Sequence, residues 1–285
     1  SYKKAIKYEK VVNEIKALGT DYKDKVVEGV IRGKNKGGYI VESANGVEYF
    51  MPRHYSALSR DKDDSKVVHL SQEMLSTPEI AVGFVQKEVS RMFLLSIDFF
   101  NYAKKAILEN NQQSYTEGKK LSNNIDVFND EIQKFITKLS SKPLSAKSLR
   151  TIHNISSAVE EINQIGDRCL KLIKTKNKMN DKNIIFSEDA NNELNFIIKK
   201  VDEFSMLVKS IYLSGNKKNT LENINKLEED IDKLRKAYKK NHLKRLDNGD
   251  CSLPAGLAFV DLLNTLEKIA DNIYGLSQII VDENL

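Results

Sequence analysis

Residues 161–172 read EINQIGDRCLKL, and residues 266–277 read LEKIADNIYGLS. With Asp167 laid on Asp271, a spacing of 271 − 167 = 104, the apolar patterns coincide. Ile165 falls on Ile269, Gly166 on Ala270, Cys169 on Ile273 and Val159 on Leu263. Both stretches show the three- and four-residue spacing of a helix that buries one face. Each also carries an Asp amid apolar neighbours, as if the acid were buried. Two long copies of one such segment indicate a duplicated helical domain rather than a solenoid of short repeats.

Working outward from the pair, each stretch is the third of three helical segments. Thr77 caps the first segment, with Pro78 at its first position, and that helix runs to about residue 109. The second spans about 115–139. Ser145 opens the third, which runs to about 176, where NKMNDKN reads as a break. Ser187, with Glu188 and Asp189 in the first turn, opens a fourth helix ending near 213. The fifth spans about 218–246 and the sixth about 253–281. No strand-like run interrupts them, so residues 75–180 and 181–285 are expected to be two pseudo-repeated three-helix bundles packed side by side.

The block before them differs. Residues 3–18 are spaced as a helix, with Ile6, Val11, Ile15 and Leu18 recurring. Residues 25–53 are rich in Val, Ile and Tyr and are punctuated by turn signals at 35–38 and 45–46. They predict a three-stranded antiparallel segment over 25–33, 38–43 and 46–51. Residues 55–74 are polar and charged and read as a linker.

Composition agrees with a mainly all-α chain. Of 285 residues, 30% are charged, while Gly and Pro number only 13 and 4. Residues 1–70 hold 14 Lys/Arg against 10 Asp/Glu, and the remainder 31 against 30, so most of the net charge of +5 belongs to the N-terminal block. The helical part thus gives no electrostatic argument for nucleic acid. Two cysteines without a CxxC spacing favour a reduced, cytoplasmic setting. No apolar run approaches the roughly 20 residues that cross a bilayer, and no signal-peptide pattern is present.

Glu160, Asn163 and Asp167 fall on one face of the third helix, and Asn264, Glu267 and Asp271 occupy equivalent positions on the sixth. Oxygen ligands in such an array suit a hard cation. A second helix must add to them, and Glu88, Glu193 and Asp202 are the candidates. The alternative is an ordinary solvated face.

These residues carry a resemblance. EINQIGDRCLKLIK and LLNTLEKIADNIYGLSQII are similar to the two signature helices of the PhoU family. Residues 75–92 resemble the first helix of the PhoU-like cytosolic region of bacterial sodium/phosphate cotransporter-related proteins. The resemblance covers about 71–281. It implies iron or zinc ions, in multinuclear sites, held by Glu/Asp-x-x-x-Asp motifs. Glu267 and Asp271 complete that motif in the second copy. In the first only Asp167 matches, because Asn163 stands where the family has an acid, so Asp167 with Glu160 would form the weaker site. The resemblance also implies a role in controlling phosphate uptake. The expected partner is a phosphate transporter or its membrane domain, the expected place the cytoplasm at the inner face of the membrane, and the expected assembly a homo-oligomer.

Residues 20–54 resemble the first half of an S-one type RNA-binding OB module of the small-subunit ribosomal protein, making 1–54 a partial OB-like segment. Lys34, Lys36, Arg32 and Arg53 would then meet phosphates, and Tyr39 would stack on a base. An OB barrel has five strands, and three cannot close one. Of the functions weighed, a non-enzymatic, metal-binding, PhoU-like regulator ranks above an RNA-binding or ribosome-associated module. A helical-bundle enzyme ranks last. No His has a Glu three residues before it, and GNKKNT lacks the ending of a phosphate-binding P-loop.

Overall fold

The computed structural model describes residues 29–35, 38–43, 47–52, 66–108, 114–215 and 220–282. The chain divides into two compact units, Ser1–Asp64 and Ser65–Leu285. The helix expected over 3–18, the turn at 45–46, and Lys36 and Arg53 lie outside the described residues.

The described part of the first unit is an antiparallel sheet in the order β1-β2-β3, from Gly29–Asn35, Gly38–Ser43 and Glu48–Pro52. β1 reaches two residues beyond its expected end. Lys34 pairs with Tyr39 and Asn35 with Gly38. The register slips between Ile31 and Gly33, a bulge that bends the strand.

The second unit opens with a 3-10 turn at Gln72–Ser76 and continues as six helices. They are α1 (Pro78–Leu108), α2 (Ser114–Ser140), α3 (Ala146–Asp181), α4 (Glu188–Ser214), α5 (Thr220–Asp247) and α6 (Leu253–Asp282). α3 and α6 pack against each other at the centre. α1 and α2 flank α3, while α4 and α5 flank α6, which gives the two expected three-helix halves. One apolar core runs through both, with Phe93, Phe99, Phe100, Phe128, Phe204 and Phe259 among its fully buried side chains.

Local chemistry sets the helix ends. Ser145 Oγ accepts from Ser148 N at 3.1 Å and Ser187 Oγ from Ala190 N at 3.3 Å, satisfying N–H groups that the helix leaves free. Gly215 closes α4 in the left-handed region at φ 66°, where a side chain would be strained. Two expectations need correction. Thr77 does not cap α1 through its side chain, since its hydroxyl donates to Met74 O at 3.4 Å. And α3 runs through most of the supposed break. Met179 is buried, and the helix ends only where Asn183 turns to φ 51° and Ile184 N returns to Met179 O at 2.8 Å. Burial of one Met outweighs the polar composition around it.

The halves are not equally closed. α2 buries Ile125, Phe128, Ile132, Phe135, Ile136 and Leu139, whereas α5 buries only Ile224, Ile231 and His242. α5 leans instead on its own charged surface, with pairs such as Glu229–Lys233 at 3.1 Å one turn apart.

Candidate metal centre and nucleic-acid face

Asp167 and Asp271 are not buried, contrary to the sequence expectation; both are exposed. The buried member of each pair is the small residue before it. Gly166 faces Ile125, whose Cδ1 would lie 3.0 Å from an added Cβ, and Ala270 is 1% exposed. One helical residue rotates the chain by about 100°, so the acid falls on the rim of the buried stripe.

The candidates taken from other helices are engaged elsewhere. Glu88 is wholly buried, accepts from Val68 N (3.0 Å) and His69 N (2.6 Å), and pairs with Arg91 (2.7 Å). It anchors the segment before α1. Glu193 accepts from Asn241 and pairs with Arg245, and Asp202 pairs with Lys104. Glu160 is exposed and accepts from Gln164 Nε2 at 3.0 Å. Asn264 is half-buried on α6. Asn163 Oδ1 is buried with no hydrogen-bond partner among the described residues.

The acids that do face Glu267 and Asp271 come from α5 and escaped the sequence reading. They are Glu228 and Asp232, spaced i, i+4 as Glu267 and Asp271 are. The Glu228 carboxyl is pushed above its ordinary range, first by burial and then by Asp271, Asp232, Glu229 and Glu267. Glu267 is pushed up by burial and by Asp271, against the opposing pull of Arg235 and Lys268. A scan for i, i+4 acid pairs beyond the repeated stretch would have found them. The cations are close too. Arg235 Nη2 lies 3.0 Å from Asp232 and its Nε 3.3 Å from Glu267, while Lys268 lies 3.8 Å from Asp271.

The first half holds a thinner version. Setting α2 on α5 with a spacing of 224 − 118 = 106 brings every buried position of α2 onto a buried or half-buried one of α5. Glu228 then corresponds to Ser122, Asp232 to Asp126 and Arg235 to Asn129. With Asn163 and Asp167 opposite, two carboxylates stand where the second half has four. The Asp126 carboxyl is raised by burial, then by Asp167 and Asp130.

For a metal ion, the chemistry of the second-half donors fits, because four carboxylates on two facing helices repel one another unless cations intervene. Their present arrangement is that of ion pairs, and among the described residues no three His, Cys, Asp or Glu side chains are gathered to hold a metal. Asn272, next to Asp271 in the repeated stretch, has a packing task. It is buried, and its Nδ2 donates across to Glu161 (2.8 Å) and Gln164 (3.0 Å), locking α6 to α3. Gly275 permits that approach, since a Cβ there would sit 2.8 Å from Glu161 Oε1.

On the sheet, Tyr39 is 6% exposed and belongs to the core, which corrects its assignment as a stacking face. Arg32 is exposed and pairs with Glu42 at 2.7 Å. Lys34 lies in β1. No helix among the described residues is long and apolar enough to cross a membrane.

Comparison with known proteins separates the two units. The N-terminal likeness is to small ribosomal subunit protein bS1 of two Helicobacter pylori strains, each 56% identical over 61 residues. That stretch is 21% of this chain, and the chain spans only 11% of the length of these relatives. Residues 89–175 match the PhoU domain. The crystal structure of PhoU from Pseudomonas aeruginosa superposes with a TM-score of 0.63 at 17% identity, covering 69% of this chain and 93% of that one. The phosphate transport system regulatory protein PhoU from Streptococcus pneumoniae gives 0.61 at 16% identity, covering 71% and 94%. The six-helix unit of this chain therefore has the PhoU fold, with a PhoU domain match running from α1 to α3.

Proposed function

We propose that the helical unit is a non-enzymatic regulator of phosphate transport that works in the cytoplasm, at the inner face of the membrane, on a phosphate transporter or its membrane domain. The observation that carries the reading is the correspondence of the two-half bundle with 94% of a protein described as a phosphate transport system regulatory protein. Assembly into a homo-oligomer belongs to the same reading. The test is deletion of the coding region for residues 65–285 in the native host. Phosphate uptake should then lose its response to external phosphate, and an unchanged response defeats the proposal.

The finer part concerns iron or zinc. The second-half set of Glu228, Asp232, Glu267 and Asp271 is the metal site we propose, and the two-carboxylate set with Asp167 is the weaker one. Support comes from the placing of these four acids on two facing helices, where burial first and the neighbouring acids next push the Glu228 and Glu267 carboxyls up. Metal content of Asp271→Asn should fall below that of Asp167→Asn; equal contents argue against it.

A second reading applies to the N-terminal segment alone, and 56% identity with a ribosomal protein favours it. That segment would bind single-stranded RNA, with affinity that weakens as salt rises. Absence of any shift of a single-stranded RNA by the whole chain at low salt removes it.

A further inference from the structure

The repeat extends to the first helix of each half. Setting α4 on α1 with a spacing of 193 − 88 = 105 lays every buried position of α4 on a buried one of α1. With α5 on α2 as before, Glu193 corresponds to Glu88, Phe196 to Arg91, Leu207 to Tyr102 and Leu234 to Phe128.

In the first half the chain itself covers the groove between α1 and α2. Arg91 lies over the Phe128 ring, 5.1 Å from its centroid, and donates to Lys66 O at 3.0 Å. Glu88 accepts from Val68 N and His69 N. Residues 66–70 are thereby held at the mouth of the groove in a non-helical conformation, with Val67 and Leu70 packed against the core.

The second half has no such cover. The residues equivalent to 66–70 are 171–175, which belong to α3, and only residues 182–187 link α3 to α4. Glu193 cannot repeat the role of Glu88, because Asn241 and Arg245 hold its oxygens. With Leu in place of Tyr102 and Phe128, two cavities of about 440 and 330 Å³ open along the α4–α5 groove. Phe196, Leu207, Leu227 and Leu234 give them apolar walls. Lys200, Lys226 and Lys233 line them against the single acid Asp230. Glu203 holds Lys200 at 2.7 Å and Glu229 holds Lys233 at 3.1 Å, whereas Lys226 has no acid within ion-pair distance among the described residues.

We propose that the α4–α5 groove docks an extended peptide segment of a partner protein, which does there what residues 66–70 do over α1 and α2. Its chemistry follows from the lining: apolar side chains three residues apart, as Val67 and Leu70 are, and a carboxylate for Lys226. A second copy of the same groove is a poor occupant, because two lysine-bearing rims repel. Main-chain extension with apolar anchors is a common mode of peptide recognition.

The experiment is fluorescence anisotropy of a labelled peptide of residues 66–76, KVVHLSQEMLS, titrated with the full chain. This peptide carries the Val67–Leu70 pair and Glu73. Wild type should bind it. Phe196→Glu should bind about tenfold more weakly, and Lys226→Glu about threefold, as for one exposed ion pair. Phe196 and Lys226 are both exposed, so both variants should melt as wild type does, and Lys226→Glu serves if Phe196→Glu does not fold. The same peptide with Ser for Val67 and Leu70 should not bind. A peptide that displaced the chain's own segment from the first half would bind Phe196→Glu and Lys226→Glu as well as wild type, and that result overturns the proposal. Absence of binding at about 1 mM overturns it too. A dimer in sedimentation that Phe196→Glu dissociates gives the groove to a second copy and overturns it likewise.

Discussion

Replacing Glu88 with Gln tests whether a single buried carboxylate fastens the segment before α1 to the bundle. Three donors converge on Glu88: the N–H groups of Val68 and His69, and Arg91. A neutral amide offers one oxygen to those donors and turns its own NH₂ on one of them. Arg91, 18% exposed, loses its charged partner and keeps its hydrogen bond to Lys66 O at 3.0 Å. Breaking a buried pair from one side costs about 3–5 kcal/mol, and partial exposure of the Arg brings the expectation to the lower end, about 3 kcal/mol. For a unit of this size that lowers the melting temperature by roughly 6–12 °C. Urea unfolding should show a lower midpoint with the slope unchanged. Amide exchange at residues 68 and 69 should accelerate more than exchange in α3. A loss under about 1 kcal/mol, with the two amides still protected, would refute the assignment of Glu88 as an anchor.

Three further outcomes are expected. Gly166→Leu should destabilise the bundle by about 1–3 kcal/mol or more through overpacking, read by urea unfolding, because even a Cβ meets Ile125 at 3.0 Å. Glu228→Gln bears on pH. An acid whose folded pKa is raised holds its proton longer in the native state, so its contribution to stability is complete below the ordinary Glu range and declines as pH rises through the raised value. Wild type should therefore lose stability relative to the Gln variant as pH rises above the ordinary Glu range; melting curves that stay parallel as pH rises contradict this. Titration of the native chain with a disulfide reagent should modify Cys251 and spare Cys169, whose thiol is fully buried and pushed up by burial. Two equally fast thiols would show that α3 is not packed as described.

Most of the helical architecture was legible because its signals are local. Ser145 and Ser187 cap as they read, Gly215 ends α4, and the apolar period placed all six helices. The misread positions lie where tertiary packing decides. Met179 extends α3 past a polar break, and Thr77 turns its hydroxyl backward. The candidate site was half legible. Glu267 and Asp271 stand out because their stretch occurs twice. Glu228 and Asp232 do not, since their counterparts are Ser122 and Asp126 and the repeat has faded there. Nor does a helical period tell which face of an exposed stripe meets another helix, which is why Glu88, a buried anchor, looked like a ligand. Tyr39 was ambiguous for the same reason, as an aromatic residue in a strand serves a core or a base equally well.

The few buried side chains of α5 have a consequence for how the second half moves. A helix held by Ile224, Ile231 and His242 has less apolar surface to expose on leaving than α2 has, so its opening lies nearer the low end of the local-unfolding spectrum. Its amides should exchange through excursions that leave α3 and α6 intact. Glu228, Asp232 and Arg235 travel with it, which means that each excursion takes half of the carboxylate set, and the charge that offsets it, away from Glu267 and Asp271. The set exists as a unit only while α5 is docked, and any ion that ties the two helices together would register as slower exchange along the whole of α5.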